Sequence, residues 1–133
     1  MNRTAFERLV EKTLATLPTE YAGRLHNLVF LIEDWADPAT LAEVGIDDPA
    51  ELLGFYNGTP LTERSHDQID PGPDRITLYH GAIELQARLS GLPVRQVIRE
   101  TLWHEIAHYF GFSEEEMDRI EEFWAGRSFP ESR

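Results

Sequence analysis

The chain has 133 residues, 41% hydrophobic and 27% charged, the proportions of a soluble globular chain with one modest core. Its 24 acidic residues against 12 basic ones give a net charge of −12, which repels phosphate backbones and argues against nucleic-acid binding. There is no cysteine, so disulfides, thiol catalysis and cysteine-ligated zinc are excluded, and any metal would be held by nitrogen and oxygen alone.

In residues 3–17, Phe6, Leu9, Val10, Leu14 and Leu17 recur at helical spacing, and Pro18 stops the helix. Glu7, Arg8, Glu11 and Lys12 interrupt the apolar core that a signal peptide needs. The run Leu28–Ile32 within residues 24–35 predicts a buried strand, broken by Asp37-Pro38. It is far shorter than the ~20 residues that cross a bilayer. No membrane association is expected, and a cytoplasmic location is.

Residues 36–50, rich in Ala, Asp and Pro, predict a loop with a short helical turn. Glu51–Tyr56 reads as a strand, either an exposed edge open to an extended peptide or, as the preferred reading, internal to its sheet, and an Asn57-Gly58 turn follows. Residues 62–74 form the most polar, Pro/Gly-rich stretch and predict a surface loop. Arg75–His80 alternates as a strand, residues 81–89 form a short helix, and Ser90-Gly91 closes it.

Pro93 suits the first turn of the next helix, whose apolar face runs through Val94, Val97, Ile98, Leu102 and Ile106 to Gly111. A final helix starts at Ser113. Ser113 with Glu116 makes a capping box, and Phe112 with Met117 a hydrophobic staple. No repeat, linker or boundary divides residues 1–133, which read as one domain.

The helix ending at Gly111 carries His104-Glu105-Ile106-Ala107-His108. Two histidines four apart project from one helix face and can bind one zinc ion. The intervening glutamate then lies beside the metal, placed to take a proton from its bound water. A catalytic zinc keeps three protein ligands and one open position. Gly111 can stop the helix and let the chain return a third ligand from the final helix. The candidates are Glu114, Glu115, Glu116 and Asp118. The glutamate triplet also has a structural reading, because carboxylates favour a helix N-terminus. Asp118 lies past that first turn, where the helix end does not account for it.

The segment HEIAHYFGFSEEEMD fits HExxHxxGxxxxxxD and resembles the minimal zincin-like metallopeptidases, small proteins carrying little more than a zinc-binding core. ELLGFYNGTPLTERS and RITLYHGAIE resemble the strand-and-loop segments that precede the active-site helix in that family. The resemblance covers most of the chain from about Glu51 onward. It implies an α+β zincin-like fold, a small sheet packed against an N-terminal helix, the HExxH helix and a C-terminal helix. It implies zinc held by His104, His108 and Asp118, with Glu105 as catalytic acid/base and Glu114 as the alternative ligand. The chain departs from larger relatives in having no third histidine at Glu114 and no methionine placed to lie beneath the metal.

The resulting expectation is a zinc-dependent peptidase acting on a peptide or protein substrate. Tyr79, His80, Tyr109 and Arg64 are candidates for a further donor to the developing oxyanion. The alternative is a metal-binding protein of the same fold that recognises a partner without efficient turnover. A third reading is an acidic interaction module whose HExxH is incidental. His26 and His66 lie outside any ligand spacing, and Trp35, Trp103 and Trp124 read as core or partly buried aromatics.

Overall fold

The computed structural model describes residues 1–17, 19–25, 27–58 and 73–125, with the side chains of 20, 120 and 123–125 left out. The expected loop at 62–74 therefore lies almost wholly outside the described residues, as do His26, Arg64, His66 and the side chain of Trp124.

Helix α1 (Arg3–Ala15) starts at Asn2, whose side chain accepts from the Ala5 N–H at 2.8 Å. It buries Phe6 and Val10, as their spacing requires. A short turn of helix, α2 (Thr19–Ala22), leads to strand β1 (Leu28–Glu33), shorter than the expected 24–35. Helix α3 (Pro38–Val44) extends the short helical turn expected in this loop to seven residues. Asp37 caps it by accepting from the Thr40 N–H at 2.7 Å, and Gly45 ends it at φ 73°. A 3-10 turn (Pro49–Glu51) precedes strand β2 (Gly54–Asn57). Strand β3 (Asp74–Tyr79) runs directly into helix α4 (His80–Ser90). Helices α5 (Val94–Phe110) and α6 (Glu114–Ala125) complete the order.

The described strands form one sheet in the order β1-β3-β2, with β1 parallel and β2 antiparallel to the central β3. Among the described residues β2 is thus an edge strand, which corrects the expectation of an internal one. One sheet face contributes Ile76 and Leu78 to the main core, where they meet Phe6 and Val10 from α1, Ile83 from α4, and Val97, Ile98, Leu102, Trp103 and Ile106 from α5. The opposite face is covered at one end by a smaller cluster of Ala36, Leu41, Leu52, Tyr79 and Ala82. The architecture is the α+β arrangement expected: a small mixed sheet, an N-terminal helix, and two helices carrying the HExxH segment and the C-terminal acids. Among the described residues no helix is long and apolar enough to cross a membrane.

Helix α5 approaches β2 most closely at Gly54. A Cβ there would meet Thr101 Cγ2 at 2.8 Å and Glu105 Cγ at 3.3 Å. Both neighbours are buried, so neither side chain can swing clear. Gly54→Ala is expected to destabilise the fold by about 1–3 kcal/mol through overpacking. Urea unfolding should report a lower midpoint at an unchanged slope, and an unaltered midpoint would refute the contact.

Candidate functional site

The HExxH segment occupies the last turns of α5, before Gly111 takes φ 79° and both Gly111 and Phe112 donate to the Ala107 carbonyl at 3.0 Å. This termination reverses the chain. Ser113 then opens α6 with the expected capping box: its N–H donates to Glu116 at 3.0 Å and its hydroxyl accepts from the Glu116 N–H at 3.2 Å. The expected glycine stop and capping box are both present.

The helical spacing brings His104 and His108 together, with ring centroids 4.7 Å apart and planes tilted by 48°. Both are solvent-accessible. Burial of part of its ring, and then the neighbouring His104, push His108 below its ordinary value of 6.5, while Glu114 opposes them.

Glu105 projects differently. It is only 7% exposed and lies beneath Gly54, where the missing side chain leaves it room. In β2 the pairing of Phe55 with Thr77, and the bond from Tyr79 N–H to the Leu53 carbonyl, turn the odd-numbered backbone groups toward β3. Those of Gly54 and Tyr56 point to the free edge. The Glu105 carboxylate accepts the Tyr56 N–H there. Burial nevertheless raises the Glu105 carboxyl above its ordinary value of 4.5, with His104 and the Tyr56 N–H opposing it.

Helix α6 returns alongside α5 and distributes its acids. Glu114 acts on His108, whereas Glu121 acts on His104. Asp118 stands exposed between them, and its resolved electrostatic neighbour is Glu121, whose carboxyl is raised by burial first and by Asp118 in part. The acids approach one imidazole each and do not converge. Among the described residues no group of three or more His, Cys, Asp or Glu side chains is placed to hold a metal ion.

This corrects the expectation of zinc bound by His104, His108 and Asp118, with Glu114 as alternative, and with it the zinc-dependent peptidase reading and the general-base role assigned to Glu105. The donor set does not fit a catalytic zinc, because two imidazoles lack the third protein ligand that such a site requires.

The proposed oxyanion donors are placed elsewhere. Tyr79 is 3% exposed in the smaller core cluster, where burial pushes its phenol up to about 12. Tyr109 is 1% exposed and its hydroxyl donates to the Arg24 carbonyl at 3.4 Å. His80 packs its ring against Phe6 and sets Nε2 3.1 Å from Glu84.

His104 and Glu105 share a cleft of about 410 Å³ between β2 and the helices α4 to α6. Leu52, Leu53, Leu92 and Val97 form its apolar walls, and Glu51, Glu100 and Glu121 add carboxylates to that of Glu105. The sequence reading missed Glu100 and Glu121. Glu100 was legible, since it stands one turn before His104 on the face that carries both histidines. Glu121 depends on how α6 lies against α5, which spacing along one helix does not reveal.

A zincin-type fold with an HExxH helix and an incomplete ligand set is the class that these features define. The family model described as zincin-like metallopeptidase matches residues 25–124, and the chain belongs to that family. No curated protein matches the sequence.

Two measurements check this site. A ligand at a hundredfold its Kd adds ~2.7 kcal/mol to stability. Since no three-ligand set is assembled among the described residues, added zinc or a chelator is expected to move the unfolding midpoint by less than about 1 °C. A rise of several degrees in calorimetry would reinstate the zinc site. The second concerns pH. The raised Glu105 carboxyl means that the folded state holds this proton more tightly than the unfolded state, so its contribution to stability falls as pH rises from the ordinary glutamate value through the raised one. Glu105→Gln keeps an acceptor for the Tyr56 N–H and removes the charge. The variant should gain on the parent as pH rises across that window, and a gap that is constant with pH would contradict the burial argument. The depressed His108 acts in the opposite sense, its contribution being lost as pH falls below 6.5.

Proposed function

We propose that this protein is a recognition module of the zincin fold, binding a peptide segment of a protein partner in the cleft between β2 and α5. The observation that carries the reading is the cleft itself. Its volume of about 410 Å³ falls within the range of ligand sites, and it joins apolar walls to a few converging polar groups. It lies where the fold sets an edge strand beside the HExxH helix. Family membership supports a peptide-like ligand, and the incomplete ligand set favours binding over turnover.

The edge of β2 contributes less than an open strand would. Gly54 is buried, and Glu105 already takes the Tyr56 N–H. Recognition is therefore assigned mainly to side chains entering the cleft, with main-chain pairing in a minor role.

The test is a titration of the isotopically labelled protein with a pooled library of blocked, extended heptapeptides. Backbone resonances of residues 52–56 and 100–105 should shift together, and the peptides should be recovered uncut. Leu92→Asp at the cleft mouth should weaken binding about tenfold while moving stability by less than about 0.5 kcal/mol. Shifts confined to another surface, or none, would remove the recognition reading.

A further inference from the structure

The two edges of the described sheet are finished differently. At β2 the outward Tyr56 N–H is already taken by Glu105. At β1 the Asp74 N–H donates to the Asn27 carbonyl, in a register that pairs Leu28 with Asp74. The odd-numbered backbone groups of β1 therefore face β3, and those of Leu28, Phe30 and Ile32 point away from the sheet. Among the described residues the one hydrogen bond to these outward groups is at the end of the strand, where Arg3 donates to the Ile32 carbonyl. A carbonyl oxygen has two lone pairs, so Ile32 can still accept a second donor.

Edge strands are ordinarily guarded by charge, proline, a bulge or short length. Strand β1 is six residues long, and its first five are Leu, Val, Phe, Leu and Ile. Leu28, Phe30 and Ile32 pack on the main core, whereas Val29 and Leu31 stand on the other face, 37% and 38% exposed. The smaller core cluster on that face does not include them.

The charges at the strand ends decide what fits this edge. Arg24 precedes β1, and Glu33 and Asp34 close it, all exposed and none in an ion pair among the described residues. A second β1 laid antiparallel brings the basic entry of each strand toward the acidic exit of the other, whereas a parallel one would set like charges side by side. With Phe30 facing Phe30 and Leu28 facing Ile32, every outward backbone group finds a partner. Val29 then lies opposite Leu31 in the closer, non-hydrogen-bonded pairs, so each copy covers the exposed side chains of the other.

We propose that β1 is a self-association edge, at which two copies of this chain pair antiparallel about a twofold axis at Phe30 and join their three-stranded sheets into one. A twofold contact closes on itself, so association stops at the dimer. Strands β1 and β2 lie at opposite edges, so the cleft stays open and this assignment is independent of what the cleft binds. The net charge of −12 on each copy opposes approach, and at about 0.15 M salt that repulsion is screened beyond about 8 Å.

Sedimentation velocity in that salt, from about 1 μM to about 1 mM protein, should show monomer passing to dimer with no larger species. Leu31→Lys should raise the dimer dissociation constant at least about tenfold. Arg24→Glu should weaken pairing about threefold, and adding Glu33→Arg to it should restore pairing. Circular dichroism confirms that the variants fold. Amide hydrogen exchange needs no variant: raising the concentration should slow exchange at Leu28, Phe30 and Ile32 and leave Val29 and Leu31, already bonded to β3, unchanged. A monomer across the whole range overturns the proposal. So does a dimer that Leu31→Lys leaves intact, a charge exchange that restores nothing, or new protection that gathers away from β1.

Discussion

The approach of α5 to β2 across Gly54 is the contact on which the site depends. With no side chain at that position, Thr101 and Glu105 come within van der Waals range of the strand. That proximity carries the Glu105 carboxylate under the sheet edge to the Tyr56 N–H. The same contact buries Glu105, raises its affinity for a proton and defines the floor of the cleft. A bulkier residue at 54 would separate strand from helix and dissolve all of these at once.

Helix α5 serves two environments because its faces alternate. Ile98, Leu102 and Ile106 join the main core, while Glu100, His104 and His108 follow the accessible side. Thr101 and Glu105 form the seam between them, each 7% exposed. A glutamate in that seam is held by a single backbone donor and by the nearby His104. The strand edge blunted by this carboxylate is also protected from pairing with other chains, a common need of edge strands.

Much of the architecture was legible in the sequence where local chemistry decides it. The Ser113–Glu116 box and the glycine stop at Gly111 set the α5–α6 hairpin, and both occur as spacing predicts. The periodicity of Phe6 and Val10 placed α1 on the core. Helix α3 was read as no more than a short helical turn within a loop because Ala- and Asp-rich composition hid its Asp37 cap and its Gly45 terminator, although both signals stand in the sequence. The HExxH spacing correctly paired His104 with His108. It failed for the third ligand, since the position of Asp118 is set by the rotation of α6 about its axis and its lie against α5. Those are tertiary quantities, and here they send Glu114 to one imidazole and Glu121 to the other.

Tyr56 occupies an unusual junction. Its main chain holds Glu105, and its phenol donates to Asp74 at 2.6 Å, a carboxylate only 2% exposed at the start of β3. Gly58 lies so close above Asp74 that a Cβ would fall 2.3 Å from its carboxyl carbon. One residue thus ties two hidden acids, one at the neck where the chain departs from and rejoins the sheet, the other beside the histidines. Both ties fall on one strand of four residues, whose first residue, Gly54, covers the Glu105 side chain.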